Sequence, residues 1–122
     1  MQKRKKAQGF RDLKVWKMGM EIVVDTYGIT KKFPKEEIYG IVAQMRRAAV
    51  SIPSNISEGF NRLSKNEYGR FLSISLGSCA ELETQVEASY RLRFLTQEDA
   101  QRMLEGLDHE SRMLRNLIKS LK

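Results

Sequence analysis

The stretch Ala48–Gly59, AAVSIPSNISEG, sets a proline and a run of small polar residues inside a strongly helical neighbourhood. Its reading decides the fold, because a Ser-Ile-Pro-Ser-Asn cluster makes a turn, a catalytic loop or a bent helix. Upstream, Ile38, Ile41, Val42, Met45, Ala49 and Ile52 recur at helical spacing and form one apolar face. If a helix ended at Ile52, nothing would hold the residues beyond Pro53 in its phase. Yet Ile56 and Phe60 follow Ile52 at i+4 and i+8, on the same face. The phase therefore predicts one helix from about Lys35 to Phe60, with Glu36 and Glu37 at its positive end. It is kinked at Pro53, where the ring removes the hydrogen bond to the Ala49 carbonyl. Ser51, Ser54 or water can take up that carbonyl, and Gly59 with Asn61 suits the end of the helix.

Phe33-Pro34 closes the preceding helix, since proline disfavours helical backbone in the residue before it. That helix, from about Asp12 to Lys32, carries two apolar sets. Leu13, Trp16, Met20, Val23 and Tyr27 share one face; Val15, Met18, Ile22 and Ile29 share another. A surface helix of a monomer needs one stripe. The first set is assigned to the core and Val15, Met18, Ile22 and Ile29 to an interface with a second subunit. The alternative is a helix buried among its three neighbours.

The third helix opens on Ser64-Lys65-Asn66-Glu67, which has the S-x-x-E form of a capping box, and runs to about Arg91. Its stripe is Tyr68, Leu72, Leu76, Cys79, Val86 and Tyr90, with Leu82 at the edge. Glu83 falls inside that stripe and needs a partner. Arg46 or Arg47 can supply it, and Arg46 is preferred. The small residues Ser73, Gly77, Ala80, Thr84 and Ala88 form a second strip, expected to pack closely against another helix. The fourth helix starts at Thr96, with Asp99 three residues on, and buries Ala100, Met103, Leu104, Leu107, Leu114, Leu117, Ile118 and Leu121. Arg112, Arg115, Lys119 and Lys122 suit its negative end. Short links favour antiparallel neighbours. The expected fold is an all-α, up-down antiparallel four-helix bundle over residues 10–122, preceded by a basic tail, 1–9.

Function classes narrow quickly. The chain has 122 residues, one cysteine and a formal charge of +7. A lone cysteine forms no intramolecular disulfide, which suits a cytoplasmic protein. No apolar run approaches the ~20 residues of a membrane span, and the basic start lacks the apolar stretch of a secretory signal. His109 is the single histidine, placed on a polar face, so no ordinary zinc set exists. Glu81, Glu83 and Glu87 do not converge on one ion. Cys79 reads as core filler, and Ser51, Ser54 and Ser57 lack a base. Neither a nucleophile elbow nor a glycine-rich phosphate loop occurs. No catalytic, metal or cofactor residue is assigned, and the chain is read as not an enzyme. What remains is electrostatic binding of nucleic acid through its backbone. The candidates are Lys3, Arg4, Lys5 and Lys6 in the tail, Arg47, the cluster Arg62, Lys65 and Arg70, and the pair Arg91 and Arg93.

The segments FRDLKVWKMGMEIV, FPKEEIYGIVAQMRRAAVSIPSNISEGFNR, EYGRFLSISLGSCAELETQVEASYRL and MLRNLIKSLK resemble the 23S rRNA-intervening-sequence protein family, the S23-type bundles of bacteria. The resemblance spans about Phe10 to Lys122 and departs at Ser57, Asn61 and Cys79. It implies a four-helix bundle assembled into a homopentameric ring, and an association with RNA, but no catalytic residues. Related accessory proteins of diversity-generating retroelements bind a reverse transcriptase, so a protein–protein adaptor is the alternative function.

Overall fold

A computed structural model describes residues 7–122. The tail candidates Lys3, Arg4, Lys5 and Lys6 lie outside the described residues. A 3-10 turn, Phe10–Asp12, leads into α1 (Lys14–Thr30); a second, Lys35–Glu37, precedes α2 (Ile41–Phe60). Two long helices, α3 (Lys65–Arg91) and α4 (Gln97–Ser120), complete the chain. No strand occurs among the described residues.

The helices form an up-down antiparallel bundle, as cross-helix contacts establish pair by pair. Along α2 and α3, Met45 faces Ser89, Ile52 faces Ser75 and Gly59 faces Phe71, so numbers rise on one helix as they fall on the other. Thr30 meets Arg46 while Gly19 meets Pro53 across α1 and α2. Lys32 meets Asp99 while Gly19 meets Glu110 across α1 and α4.

The opening stretch is helical, and α2 runs unbroken through Pro53. Ile52, Ile56 and Pro53 are all buried. Ser51 does not turn to the Ala49 carbonyl; its hydroxyl pairs with Ser78 at 2.8 Å. Asn55 Nδ2 donates to the Ser51 carbonyl at 2.8 Å, and the Ser75 hydroxyl donates to the Ile52 carbonyl at 2.9 Å. Small polar residues thus join α2 to α3 at close range. The start of α2 is later than expected. Glu36 and Glu37 lie in the 3-10 turn, and Gly40, at φ −103° and ψ −119°, separates that turn from the helix.

Helix α3 begins as read: the Ser64 hydroxyl accepts from the Glu67 N–H at 3.1 Å, while the Glu67 carboxylate pairs with Arg70 instead of closing the box. The Thr96 hydroxyl caps α4 in the same way, at 3.0 Å from the Asp99 nitrogen. Helix α3 ends with the Phe94 N–H on the Ser89 carbonyl and the Arg93 N–H on that of Tyr90. This double closure places Arg93 at φ 66°, in the left-handed region.

Two assignments are corrected. Val15, Ile22 and Ile29 belong to the core, at 5%, 2% and 2% exposure, and Met18 is half-buried against it with its methyl near Gly106. Of the other set, Leu13, Trp16 and Val23 are half-buried against the core, and the outward face of α1 carries Met20, Val24 and Tyr27. The core face of α3 keeps Leu72, Cys79, Leu82 and Val86 of the expected stripe, but it is rotated toward Ser75, Ser78, Gln85 and Ser89 and leaves Tyr90 exposed. Ser73, Gly77, Ala80 and Thr84 consequently face outward. The buried serines direct their hydroxyls to α2 and to their own helix, so they occupy core positions without unpaired donors.

The tightest crossing lies where α2 ends. A Cβ on Gly59 would stand 2.7 Å from the Phe71 Cβ and 3.2 Å from the Tyr68 carbonyl oxygen. The latter is backbone and cannot rotate away. Gly59→Ala should cost about 1–3 kcal/mol of overpacking. Gly69→Ala, in α3 with nothing within 4 Å, should stabilise by about 0.5–1 kcal/mol through helix propensity. Urea denaturation of the two variants beside the parent checks both signs.

Candidate nucleic-acid interface

The up-down order brings the start of α1, the α2–α3 turn and the end of α4 to one end of the bundle. Arg62, Lys65 and Arg70 meet there, all exposed. The sequence supplies Arg11 from the first turn and Lys119 and Lys122 from the last helix to the same end, interspersed with Asp12, Glu58 and Glu67, while Arg115 stands further back on α4 beside Glu83 and Asp108. The Arg62 and Arg70 guanidinium groups lie 4.7 Å and 5.2 Å from the centroid of the Phe71 ring. Stacking on a buried ring fixes the heads of two long side chains at less entropic cost than free arginines. Arg70 also pairs with Glu67 at 3.3 Å, an exposed bond worth little. Arg62 and Lys65 make no ion pair among the described residues.

The other candidates do not join this cluster. Arg91 and Arg93 lie at the α3–α4 turn, the opposite end of the bundle. Arg47 is exposed on the side of α2, in a groove shared with Tyr27 of α1. The Arg46–Glu83 pair does not form. Arg46 Nε donates to the Thr30 hydroxyl at 3.0 Å, and its guanidinium covers the Tyr27 ring at 4.5 Å. Glu83 lies on the far side of α3, beside Asp108, Ser111 and Arg115. The rotation of α3 that exposes its small strip also brings Glu83 to the rim, where water solvates it.

One ionisable group escaped the sequence reading altogether. Glu110 of α4 is 0% exposed, and neither carboxyl oxygen has a hydrogen-bond partner. Burial pushes its carboxyl up to about 8, so it is chiefly neutral at pH 7. A signal for it existed. Glu110 falls three residues after Leu107 and four before Leu114, at a core position of the α4 stripe. Cys79, nearby on α3, is pushed up to about 12, first by burial and then by the Glu110 charge, and stays a thiol at neutral pH. Thiolate chemistry is out of reach of such a group. Among the described residues no three His, Cys, Asp or Glu side chains gather to hold a metal ion, and no helix is long and apolar enough to cross a membrane.

A family model described as 23S rRNA-intervening sequence protein matches residues 11–116. The chain belongs to that family. The match takes in all four helices apart from the last residues of α4, and leaves out the basic tail. The bundle of this 23S rRNA-intervening sequence family member is similar to a crystal structure of a protein of unknown function from the S23 ribosomal protein family of Bacteroides thetaiotaomicron. The TM-score is 0.80, over 86% of this chain and 95% of that one, at 24% identity, a likeness that carries the fold. No curated protein matches the chain.

Proposed function

We propose that this protein is a non-enzymatic, cytoplasmic, homo-oligomeric nucleic-acid-binding protein that grips RNA phosphates with the basic end of its bundle. The observation that carries the reading is the cluster of Arg62, Lys65 and Arg70 at that end, with Arg11, Lys119 and Lys122 supplied by neighbouring elements. Residues 7–9, which follow Lys3, Arg4, Lys5 and Lys6 in the sequence, lead into the bundle at the same end. The family's description, which ties its members to 23S rRNA intervening sequences, supports RNA as the partner. Contacts of this kind position a backbone without reading sequence. A homo-oligomeric ring of the kind the family resemblance implies multiplies the basic end, and avidity then raises affinity without new contacts.

Binding to a structured RNA, titrated across salt concentrations, tests this. Affinity should fall linearly on a log–log plot as phosphate contacts release counterions. Replacing both Arg62 and Lys65 with Gln should reduce the magnitude of that slope by about 2, one per lost phosphate contact. Absence of binding at low salt sinks the reading.

A further inference from the structure

The bundle carries two grooves on opposite sides, and their chemistry is complementary. The first lies between α1 and α2. Tyr27, Ile38, Tyr39 and Val50 line it, and Arg46 and Arg47 stand over them. Tyr39 is 94% exposed, an unusual state for a large aromatic beside Ile38 and Val50, themselves exposed. Apolar patches of this kind mark interaction sites, and Tyr with Arg is the composition of protein interface centres. Neither arginine has a carboxylate partner among the described residues.

The second groove lies between α3 and α4. Tyr90, Leu104 and Ala100 floor it, and Glu87, Glu105 and Asp108 line it without a cation. Glu87 and Glu105 likewise make no ion pair among the described residues, and Asp108 pairs with Arg112. The outward strip Ser73, Gly77 and Ala80 continues this face toward the other end. A Cβ on Gly77 would meet nothing within 4 Å. Small residues left uncovered on a helix let a second backbone approach closely, so this face is shaped for a helix as well as charged for arginine.

Position adds the third constraint. In the bundle order α1, α2, α3, α4, the α1/α2 and α3/α4 grooves are opposite sides of a square. Tyr27 and Arg46 stand at the same end of the bundle as Glu87 and Gln101, so the grooves sit at the same height.

We infer that the α1/α2 groove of one copy receives the α3/α4 face of a second copy, Arg46 and Arg47 meeting Glu87 and Glu105. This rests on the homo-oligomeric reading above and specifies its interface. Such a contact is heterologous, since each copy uses a different face toward each neighbour. Faces at equal height give little translation along the bundle axis, so successive copies stand side by side, and any turn between the two faces curves the row toward a closed ring. All bundles then point the same way, and the clusters of Arg62, Lys65 and Arg70 lie on one side of the assembly.

Charge exchange tests the contact. Arg47→Glu and Glu87→Lys, both at exposed positions, should keep the helical circular dichroism of the parent. By light scattering at low salt, each single variant should fall to the monomer mass of 14.1 kDa, and the double variant Arg47→Glu/Glu87→Lys should reassemble. If the parent itself is a monomer, the homo-oligomeric reading fails and takes this interface with it. If the parent is oligomeric and both single variants stay assembled, the reading stands and this interface is wrong. Dissociation by Arg47→Glu alone would mean that the first groove packs on itself, and a folded double variant that stays monomeric would mean that the two faces do not meet. Either overturns the inference. An Arg47→Glu protein that weakens RNA binding with unchanged mass gives the groove to phosphate and overturns it equally.

Discussion

The Ile22→Glu variant should lose most of its helical circular dichroism at room temperature, as a failure of the fold and not of assembly alone. Ile22 is 2% exposed on the inner face of α1, among Val15, Gly19, Thr26 and Ile29. The substitution removes a buried branched side chain and inserts a carboxylate with no cation to meet it. Large-to-small core changes and uncompensated buried charges each cost about 3–5 kcal/mol. Their combination rivals the whole stability of a domain this size, about 5–15 kcal/mol. Val24→Glu, two residues on at a position 67% exposed, is the control and should leave folding within about 0.5 kcal/mol of the parent. Circular dichroism with light scattering separates the outcomes. An Ile22→Glu protein that is fully helical but smaller would put this stripe back at a subunit boundary.

That stripe marks where the sequence stopped being legible. The existence of four helices, their caps at Ser64 and Thr96 and the passage through Pro53 all follow from local chemistry, which one chain displays on its own. The orientation of α1 does not, because both of its stripes are apolar. The larger side chains, Trp16, Met20 and Tyr27, point outward or to the rim. The core takes Gly19, Thr26 and Thr30 between its aliphatic residues. Gly19 is there because α1 crosses closely: its Cβ would stand 3.3 Å from Pro53 and 3.2 Å from Glu110 Oε2. The threonines are tolerated because each hydroxyl donates to the carbonyl one turn back, at 2.7 Å. Side-chain size is thus a poor guide to the core where helices approach this closely. The rotation of α3 has the same origin, with Ser75, Ser78 and Ser89 buried and larger residues displaced to the rim.

The basic cluster was legible for a different reason. Arg62, Lys65 and Arg70 are close in sequence, and a tight turn keeps them close in space. The Arg46–Glu83 pair joined residues of two helices, and its geometry depended on the rotation of α3. Charges within one turn can be read from spacing; charges across helices need the packing first.

Replacing Glu110 with Met should stabilise the bundle by an amount that grows with pH. The carboxyl sits at about 8 in the folded protein and near 4.5 when exposed, because burial disfavours its charged form. Between those values the folded state holds a proton that the unfolded chain releases. Folding stability from this group is therefore present below about 4.5 and is lost as pH rises through about 8. Each pH unit in that window costs about 1.4 kcal/mol, which accumulates to about 3 kcal/mol at pH 7. The methionine of the variant would carry no such term, and its thioether would fill similar volume without the two unpaired oxygens. Glu110→Gln separates the contributions: it should abolish the pH slope while keeping a buried, unpaired amide worth about 1–3 kcal/mol of penalty. Urea midpoints of the three proteins, at one protein concentration from pH 5 to pH 8, measure both effects. The upper bound keeps clear of the unfolded chain's Cys79 thiol, which ionises above it. A gap between the parent and the methionine variant that stays constant across this range would mean that Glu110 holds its charge in the folded state, and so has a partner.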